Sequence, residues 1–547
     1  MILLHTYVRS TQSFTTGSIA VHPASCFVRL FPYQVGNMPC MHACMHVLRP
    51  ALLPLPRPSA YIAHPRHRRS KQCDKVGSHP HTQNPAMVTF TARRSEPEQL
   101  RPARATPRET KALSDLDDQR TLRYYETVIG FFRSNAGRPD DPVQVIRAAL
   151  REALVYYYPI AGRLREDGAG RLVVDCTAEG VMFVEAYVDA RLDEFGDPLL
   201  PPYPCVEELL CHVGDTRAVV AKPLLFMQVT RLKCGGFVLG FHICHNLADG
   251  FGMAQLIKAV ADIARGEAAP TILPVWEREL LTARSLLPPI TRLYPAHEPP
   301  ASGSGSAARD MMLSVPPQSM VAKYFLFGPR EVSALRDRIP AGHPARSATI
   351  FELVTAVMWR CRTVALGYEP GQRVRLMTTM NARGRWNNHT PIPWGYYGNA
   401  HVSPIAEAVV GELCGQPLAD TVELVRETKL GMTKERMESM VEAVALLREW
   451  PPSTMDRIYE VSDVRWMAVN VLNFGWADLA GGGIPLAGDL TSKLGSDHMW
   501  CRNEDGEVST VVSMLLPRAA MDVFTEEIAV WVRHKDEEKN LTIMSSL

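Results

Sequence analysis

The stretch from Gly236 to Gly266 constrains the fold more than any other part of the chain. Gly236–Cys244 is an apolar run of strand character. Met253–Arg265 then carries Met253, Leu256, Ile257, Val260 and Ile263 on one helical face, with Gly266 as a C-terminal stop. Between the two lies His245-Asn246-Leu247-Ala248-Asp249-Gly250-Phe251-Gly252. Strand, polar turn and helix in that order put the turn at the end of a sheet, where functional residues collect.

The same alternation continues on both sides. VQVIRAALREALVYYY, after Pro142, has helical spacing and stops at Pro159, and strand-like runs follow near 171–175, 181–186 and 224–232. From about Gly266 the chain turns rich in Pro, Ala, Gly and Ser, and 285–317, with HEPPASGSGSAA inside it, reads as a crossover linker. Beyond it the patterns predict a strand at 323–327, helices at 329–338 and 349–365, and a strand at 373–381. A helical region at 418–449, strands at 467–474 and 507–516 and a last helix at 519–532 complete the series. Two layered α/β domains are expected, 87–284 and 318–547. Neither G-x-G-x-x-G nor G-x-x-x-x-G-K-[ST] occurs, so nucleotide hydrolysis and nicotinamide chemistry lose their usual sequence support.

Charge divides the 547 residues sharply: 1–86 have a net charge of +8, and 87–547 a net of −7. The basic tract holds eight of the 17 histidines and four of the 12 cysteines, with no helical or strand period, and is expected to be disordered on its own. A transit peptide, a zinc site from Cys40, His42, Cys44 and His46 with His64 and His67, and an upstream extension ahead of a true start at Met87 are the three readings of it. No C-x-x-C pair supports the zinc reading, and no metal is expected elsewhere. The acidic balance of the remainder argues against nucleic acid, and the lack of eighteen consecutive apolar residues argues against a membrane span. The eight later cysteines are widely spaced, as in a reduced cytoplasmic protein.

His245 and Asp249 form an H-x-x-x-D pair, a spacing that chance alone supplies about once in such a chain. A histidine at a solvent-reachable sheet end titrates near neutrality and can take a proton from a hydroxyl. Asp249 is placed to cap the following helix. On spacing alone, a capping Asp beside an incidental core His is the better explanation of the pair.

Other stretches add to it. Tyr158-Pro159-Ile160-Ala161-Gly162-Arg163-Leu164, the His245–Gly250 turn, Pro274-Val275-Trp276-Glu277-Arg278 and Asn473-Phe474-Gly475-Trp476-Ala477 together resemble, in order and spacing, the plant BAHD acyl-CoA-dependent acyltransferases. Asn381-Ala382-Arg383-Gly384-Arg385 and Tyr396-Tyr397-Gly398-Asn399-Ala400 look like the benzyl alcohol benzoyltransferase and taxane acyltransferase branch.

The resemblance implies two chloramphenicol-acetyltransferase-like α/β domains joined by a crossover, with a channel between them for acyl-CoA and an acceptor. His245 would be the general base, and Asp249 and Gly250 would support its loop. Asn473, Phe474, Gly475 and Trp476 would border the CoA channel mainly as packing, and Tyr397 and Asn399 would border the acceptor pocket. No permanently bound cofactor is implied. The expected reaction moves a benzoyl, acetyl or similar group to an alcohol, in a monomer. The alternatives are N-acylation of a polyamine or arylamine, and a weakly active homologue that only binds acyl-CoA. One departure stands out: the family's leading Asp is Asn473 here and its closing Gly is Ala477, which predicts an arginine, Arg383 or Arg385, short of its counter-charge.

Overall fold

The computed structural model describes residues 88–135, 141–283, 310–316, 319–385, 391–448, 456–469, 472–485 and 494–533. The basic tract 1–86, with the three readings of it, lies outside these residues, as does most of the 285–317 linker.

Two mixed sheets carry the fold. The first is built on β1 (Tyr125–Ser134), β2 (Val181–Val188), β3 (Leu225–Leu232) and β4 (Phe237–Cys244). β2 and β3 run parallel, and β4 lies antiparallel to both β3 and β1. All eight residues of β4 are buried, which explains its lack of a polar–apolar alternation. Helices α1 (Pro142–Tyr156) and α2 (Gly250–Ala264) supply Ile146, Leu150, Leu154, Leu256, Ile257 and Val260 to the same core. Each such side chain contributes about 1.5–3 kcal/mol by leaving water. Asp141 caps α1 through the Val143 amide, and Pro142 fills the first helical position, where no amide is required.

The second sheet contains β5 (Met320–Phe327), β6 (Arg373–Thr378), β7 (Ile405–Val409), β8 (Ile458–Asp463), β10 (Gly495–Arg502) and β11 (Val508–Pro517), in the spatial order β5-β11-β10-β8-β6-β7. Helices Ile350–Ala365 and Arg518–Val532 cover one face, where Trp359, Val461, Val512, Met514 and Phe524 are buried. The first of these helices opens with a capping box: the Thr349 hydroxyl accepts from the Glu352 amide and the Glu352 carboxylate accepts from the Thr349 amide.

The division expected between 284 and 318 is not a clean one. β9 (Ala477–Gly483) comes from the C-terminal half yet completes the first sheet, pairing antiparallel with β1 from Ala477↔Ser134 to Gly483↔Ile129. Of residues 467–474, expected as a strand, the described ones instead belong to the short helix Trp466–Val469 and, from 472 on, to an irregular approach to β9; 470 and 471 lie outside the described residues. Likewise the stretch after Gly266 is not all linker, since the Val275 amide donates to the Gly395 carbonyl at 2.7 Å. An apolar cleft lined by Val128, Ile129, Met467, Leu479, Ile484 and Met499 runs between the two sheets.

Candidate active site

β4 delivers His245 to the sheet end. The His245 amide donates to the Tyr124 carbonyl at 2.9 Å, continuing the β1 pairing by one residue, and the Leu247 amide then turns back onto the Cys244 carbonyl at 3.0 Å. Asp249 is extended at the N-cap of α2, and its Oδ1 accepts from the Gly252 amide at 2.9 Å. Gly252 is required by space: a Cβ there would lie 1.9 Å from the Tyr397 carbonyl oxygen.

Asp249 has a second role. Its two oxygens receive two parallel hydrogen bonds from the Arg383 guanidinium, both at 3.0 Å, and a third from the Ala400 amide at 2.9 Å. Arg383 spends its remaining donors on the Tyr396 and Gly398 carbonyls, each at 2.6 Å, and on Asn381 Oδ1 at 3.1 Å, and its guanidinium lies over the Phe251 ring at 4.6 Å. Burial opposes charge on Asp249, but Arg383 prevails and holds the carboxyl below its ordinary value. The carboxylate is therefore fully engaged by Arg383 and by the Gly252 and Ala400 amides, which stabilises the loop.

A second buried ion pair braces the loop from behind, and sequence reasoning missed it. Asp117 faces Arg278 at 3.2 Å with both side chains essentially inaccessible, and Arg278 Nη2 donates to the Leu247 carbonyl at 2.9 Å. Asn399 donates to Asp117 Oδ1 through its amide and through Nδ2, at 2.8 and 2.9 Å, and Nδ2 also reaches the His245 carbonyl at 2.8 Å. The Asn246 side chain donates to the Asp117 carbonyl at 2.6 Å. Trp276, Tyr396 and Tyr397 surround the Arg278 guanidinium with ring centroids 4.3 to 5.0 Å away. Arg278 belongs to a stretch that the sequence singles out, but its partner is 161 residues away, with no local signal linking them.

His245 itself is half-buried, with the Tyr124 ring 5.2 Å away. Burial and the neighbouring His401 pull its pKa down to about 4, against the pull of Asp249, its own carbonyl and Asn399. The ring is neutral at physiological pH and so able to accept a proton. Cys244 beside it is pushed up to about 12 by burial, which leaves it a protonated thiol and a poor nucleophile.

Not every expected residue joins this cluster. Tyr397 and Asn399, expected at an acceptor pocket, are 2% and 0% exposed and lie behind the loop. Asn473 faces neither Arg383, which is taken by Asp249, nor Arg385. Its side-chain oxygen accepts from the Gly475 amide at 2.7 Å, and its carbonyl accepts from Arg265. Arg265 has its own counter-ion in Asp262, so the change from Asp to Asn strands no buried charge. Phe474 packs edge-on against Phe132 and Phe237, and the Trp476 indole donates to the Ala264 carbonyl at 3.4 Å, at the end of α2. The contacts of this segment are packing contacts and turn hydrogen bonds, while Arg163 Nη1 donates to the Gly162 and Gly180 carbonyls and its Nη2 faces Glu179 at 3.3 Å.

A cavity of about 400 Å³ opens at the second sheet, lined by residues that include Phe327, Val332, Asp463, Arg465, Trp466 and Trp500. Trp466 connects it to the loop by packing against Phe251 at 5.2 Å. No cluster able to hold a metal ion occurs among the described residues, and no helix there is long and apolar enough to cross a membrane.

Comparison with known proteins places this geometry. A family model described as "Transferase family" matches residues 86–530. The chain is 70% identical over 486 residues to "Acyl transferase 1" of Oryza sativa subsp. japonica, covering 84% of this chain and all of that protein. It is 50% identical to "Spermidine hydroxycinnamoyltransferase 1" of the same plant, covering 77% and 94% of the two chains. It is 44% identical to "Benzyl alcohol O-benzoyltransferase" of Nicotiana tabacum, covering 81% and 94%. Among solved structures, vinorine synthase superposes with a TM-score of 0.61 at 20% identity, over 81% of this chain and 100% of that one, a likeness of fold.

Proposed function

The chain belongs to the Transferase family, the BAHD acyl-CoA-dependent acyltransferases, and on that premise we propose that His245 is the general base that transfers an acyl group from CoA to an alcohol. The acceptor hydroxyl gives its proton to Nε2 of His245 as its oxygen attacks the thioester carbonyl. The tetrahedral intermediate then expels the CoA thiolate, which takes the proton from the imidazolium. The carrying observation is a neutral, half-accessible imidazole on a loop that two buried ion pairs hold still. The cavity beside Trp466 supports a place for part of the CoA moiety, with indole faces for stacking and the Asp463–Arg465 ion pair at its wall. The eight described cysteines are free, which suits the cytoplasm.

Incubation with benzoyl-CoA and benzyl alcohol, read by mass spectrometry, tests this reading. Ester formation should fall at least about 100-fold in His245→Ala, and an unchanged rate would overturn the assignment.

An amine acceptor is favoured by a separate observation. Register pairs Ser462 of β8 with Asp497 of β10, which sets Glu460 and Asp497 on one face, the face from which Met499 contributes to the cleft wall. Burial raises both carboxyls to about 7, with Glu460 adding to the effect at Asp497, and neither has a Lys or Arg ion pair among the described residues. A polyamine ammonium would let both ionise. With spermidine as acceptor, Glu460→Gln should raise KM for spermidine and leave KM for benzyl alcohol unchanged; equal effects on both would remove this reading.

A further inference from the structure

We propose that Asn399 is a positioning residue for His245, fixing the ring's tautomer and bearing part of its charge as the proton is taken up. The proposal deepens the reading of His245 as general base and rests on it.

The amide of Asn399 has one chemically consistent orientation. Nδ2 lies 2.9 Å from Asp117 Oδ1 and 2.8 Å from the His245 carbonyl, both of which are acceptors, so the nitrogen must occupy that place and Oδ1 the other. Oδ1 is then a buried oxygen that receives no hydrogen bond, and His245 Nδ1 is a buried nitrogen without a partner. An unsatisfied buried acceptor and an unsatisfied ring nitrogen that becomes a donor once the ring is protonated, on residues already bonded to one another, form a pair that the reaction can complete. The Asn399 side chain also favours the protonated form of the ring.

The surroundings fix Asn399 in place. It is wholly buried, its own amide is held by Asp117, and the preceding Gly398 admits no side chain, because a Cβ there would lie 1.1 Å from Arg278 Nη1. The charged and titratable groups around His245 are His401 and Asp249, with Asp117 and Arg278 one bond further out and the Tyr124 and Cys244 side chains alongside. None of them offers Nδ1 a hydrogen-bond acceptor, so among these neighbours the Asn399 oxygen and the ring's own carbonyl are what can receive Nδ1–H.

With Nδ1 carrying the hydrogen, the lone pair sits on Nε2, on the accessible side of the ring. When Nε2 takes the acceptor's proton, the new positive charge is shared through Nδ1–H with Asn399 Oδ1. It leaves again when Nε2–H returns the proton to the departing thiolate. No net proton or electron is consumed.

The test uses the whole enzyme with Asn399→Ala and, should that variant not fold, Asn399→Ser, whose hydroxyl is too short to reach both sites. Folding is checked by circular dichroism. In the folded variant, kcat should fall on the order of 10-fold or more with KM for acyl-CoA unchanged. The acidic limb of the kcat/KM profile should move to lower pH, because a group favouring the imidazolium has gone. An unmoved limb with unchanged kcat would overturn the proposal. Nitrogen NMR of 15N-histidine-labelled wild-type enzyme supplies an independent reading: hydrogen on Nδ1 of His245 supports it, and hydrogen on Nε2 overturns it. His245→Ala run in parallel separates the premises. Full activity there removes the general base itself, whereas an inactive His245→Ala beside an unaffected Asn399→Ala removes only this inference.

Discussion

Asp249 and Arg383, 134 residues apart in the chain, meet through two parallel hydrogen bonds of 3.0 Å, with the arginine side chain fully buried. The pair ties the turn after β4 to the segment between the two small strands Met380–Asn381 and His401–Val402, so the loop carrying His245 is shaped by both halves of the molecule. Removing one partner leaves the other charge buried and unpaired, at a cost of about 3–5 kcal/mol. Arg383→Met should therefore lower the thermal unfolding midpoint markedly and abolish acyl transfer. A variant with parental stability would show that the pair does not hold the loop.

Space predicts a contrast between neighbouring glycines. A Cβ at Gly252 would strike the Tyr397 carbonyl at 1.9 Å, while one at Gly250 would meet only Met467 Sδ at 3.8 Å, an ordinary contact. Gly252→Ala should yield poorly soluble or inactive protein, whereas Gly250→Ala should fold normally. Comparing soluble yield and melting temperature of the two decides the point.

Acid should destabilise the fold through its buried histidines. His242 and His245 have pKa values pulled down to about 4 and His498 to about 3, all mainly by burial, from an ordinary 6.5. Between pH 6.5 and about 4 the unfolded chain binds protons that the folded chain refuses, so stability decreases as pH falls through that window and is unaffected by these groups above it. Glu460 and Asp497, whose carboxyls burial raises to about 7, act in the opposite sense over the same range, so the histidine effect is read by comparing melting temperature from pH 8 to 4 in the parent and in His242→Gln. The variant should lose less stability than the parent between pH 6.5 and 4; parallel curves would contradict the buried neutral state of His242.

Restoring the acidic residue at 473 should change little. Asn473 is exposed and its side-chain oxygen already closes the turn onto the Gly475 amide, a bond that an aspartate can also make. Asn473→Asp would bring a carboxylate near Arg265, an exposed interaction worth about 0–1 kcal/mol. Activity and stability within twofold and a few degrees of the parent are expected. A large gain in kcat would mean that the asparagine impairs the enzyme after all.

Elements with a strong period were legible before any coordinates. The helix starting at Pro142, the strand ending at Cys244, the helix capped by Asp249 and the helix after Thr349 all lie within a few residues of where their patterns put them, because burying one face of a helix or a whole strand leaves its mark on consecutive residues. The strand 458–463 and the transfer of 477–483 into the first sheet left no such mark. β9 contains Gly481, Gly482 and Gly483, so its place depends on the partner edge of β1 more than on its own side chains.

The sequence by itself determined the local unit that presents the proposed base: His245 at the end of an apolar strand, followed by a capped helix. Tertiary structure decided how that group is tuned. Burial and His401 lower its pKa, and Arg383 and the Asp117–Arg278 pair hold its loop. Asn399, which the motif suggested would face an acceptor, is turned instead onto the histidine's own backbone. Such relationships join residues more than a hundred positions apart. They are set by which charges the folded core forces together, and no periodicity in the chain encodes that.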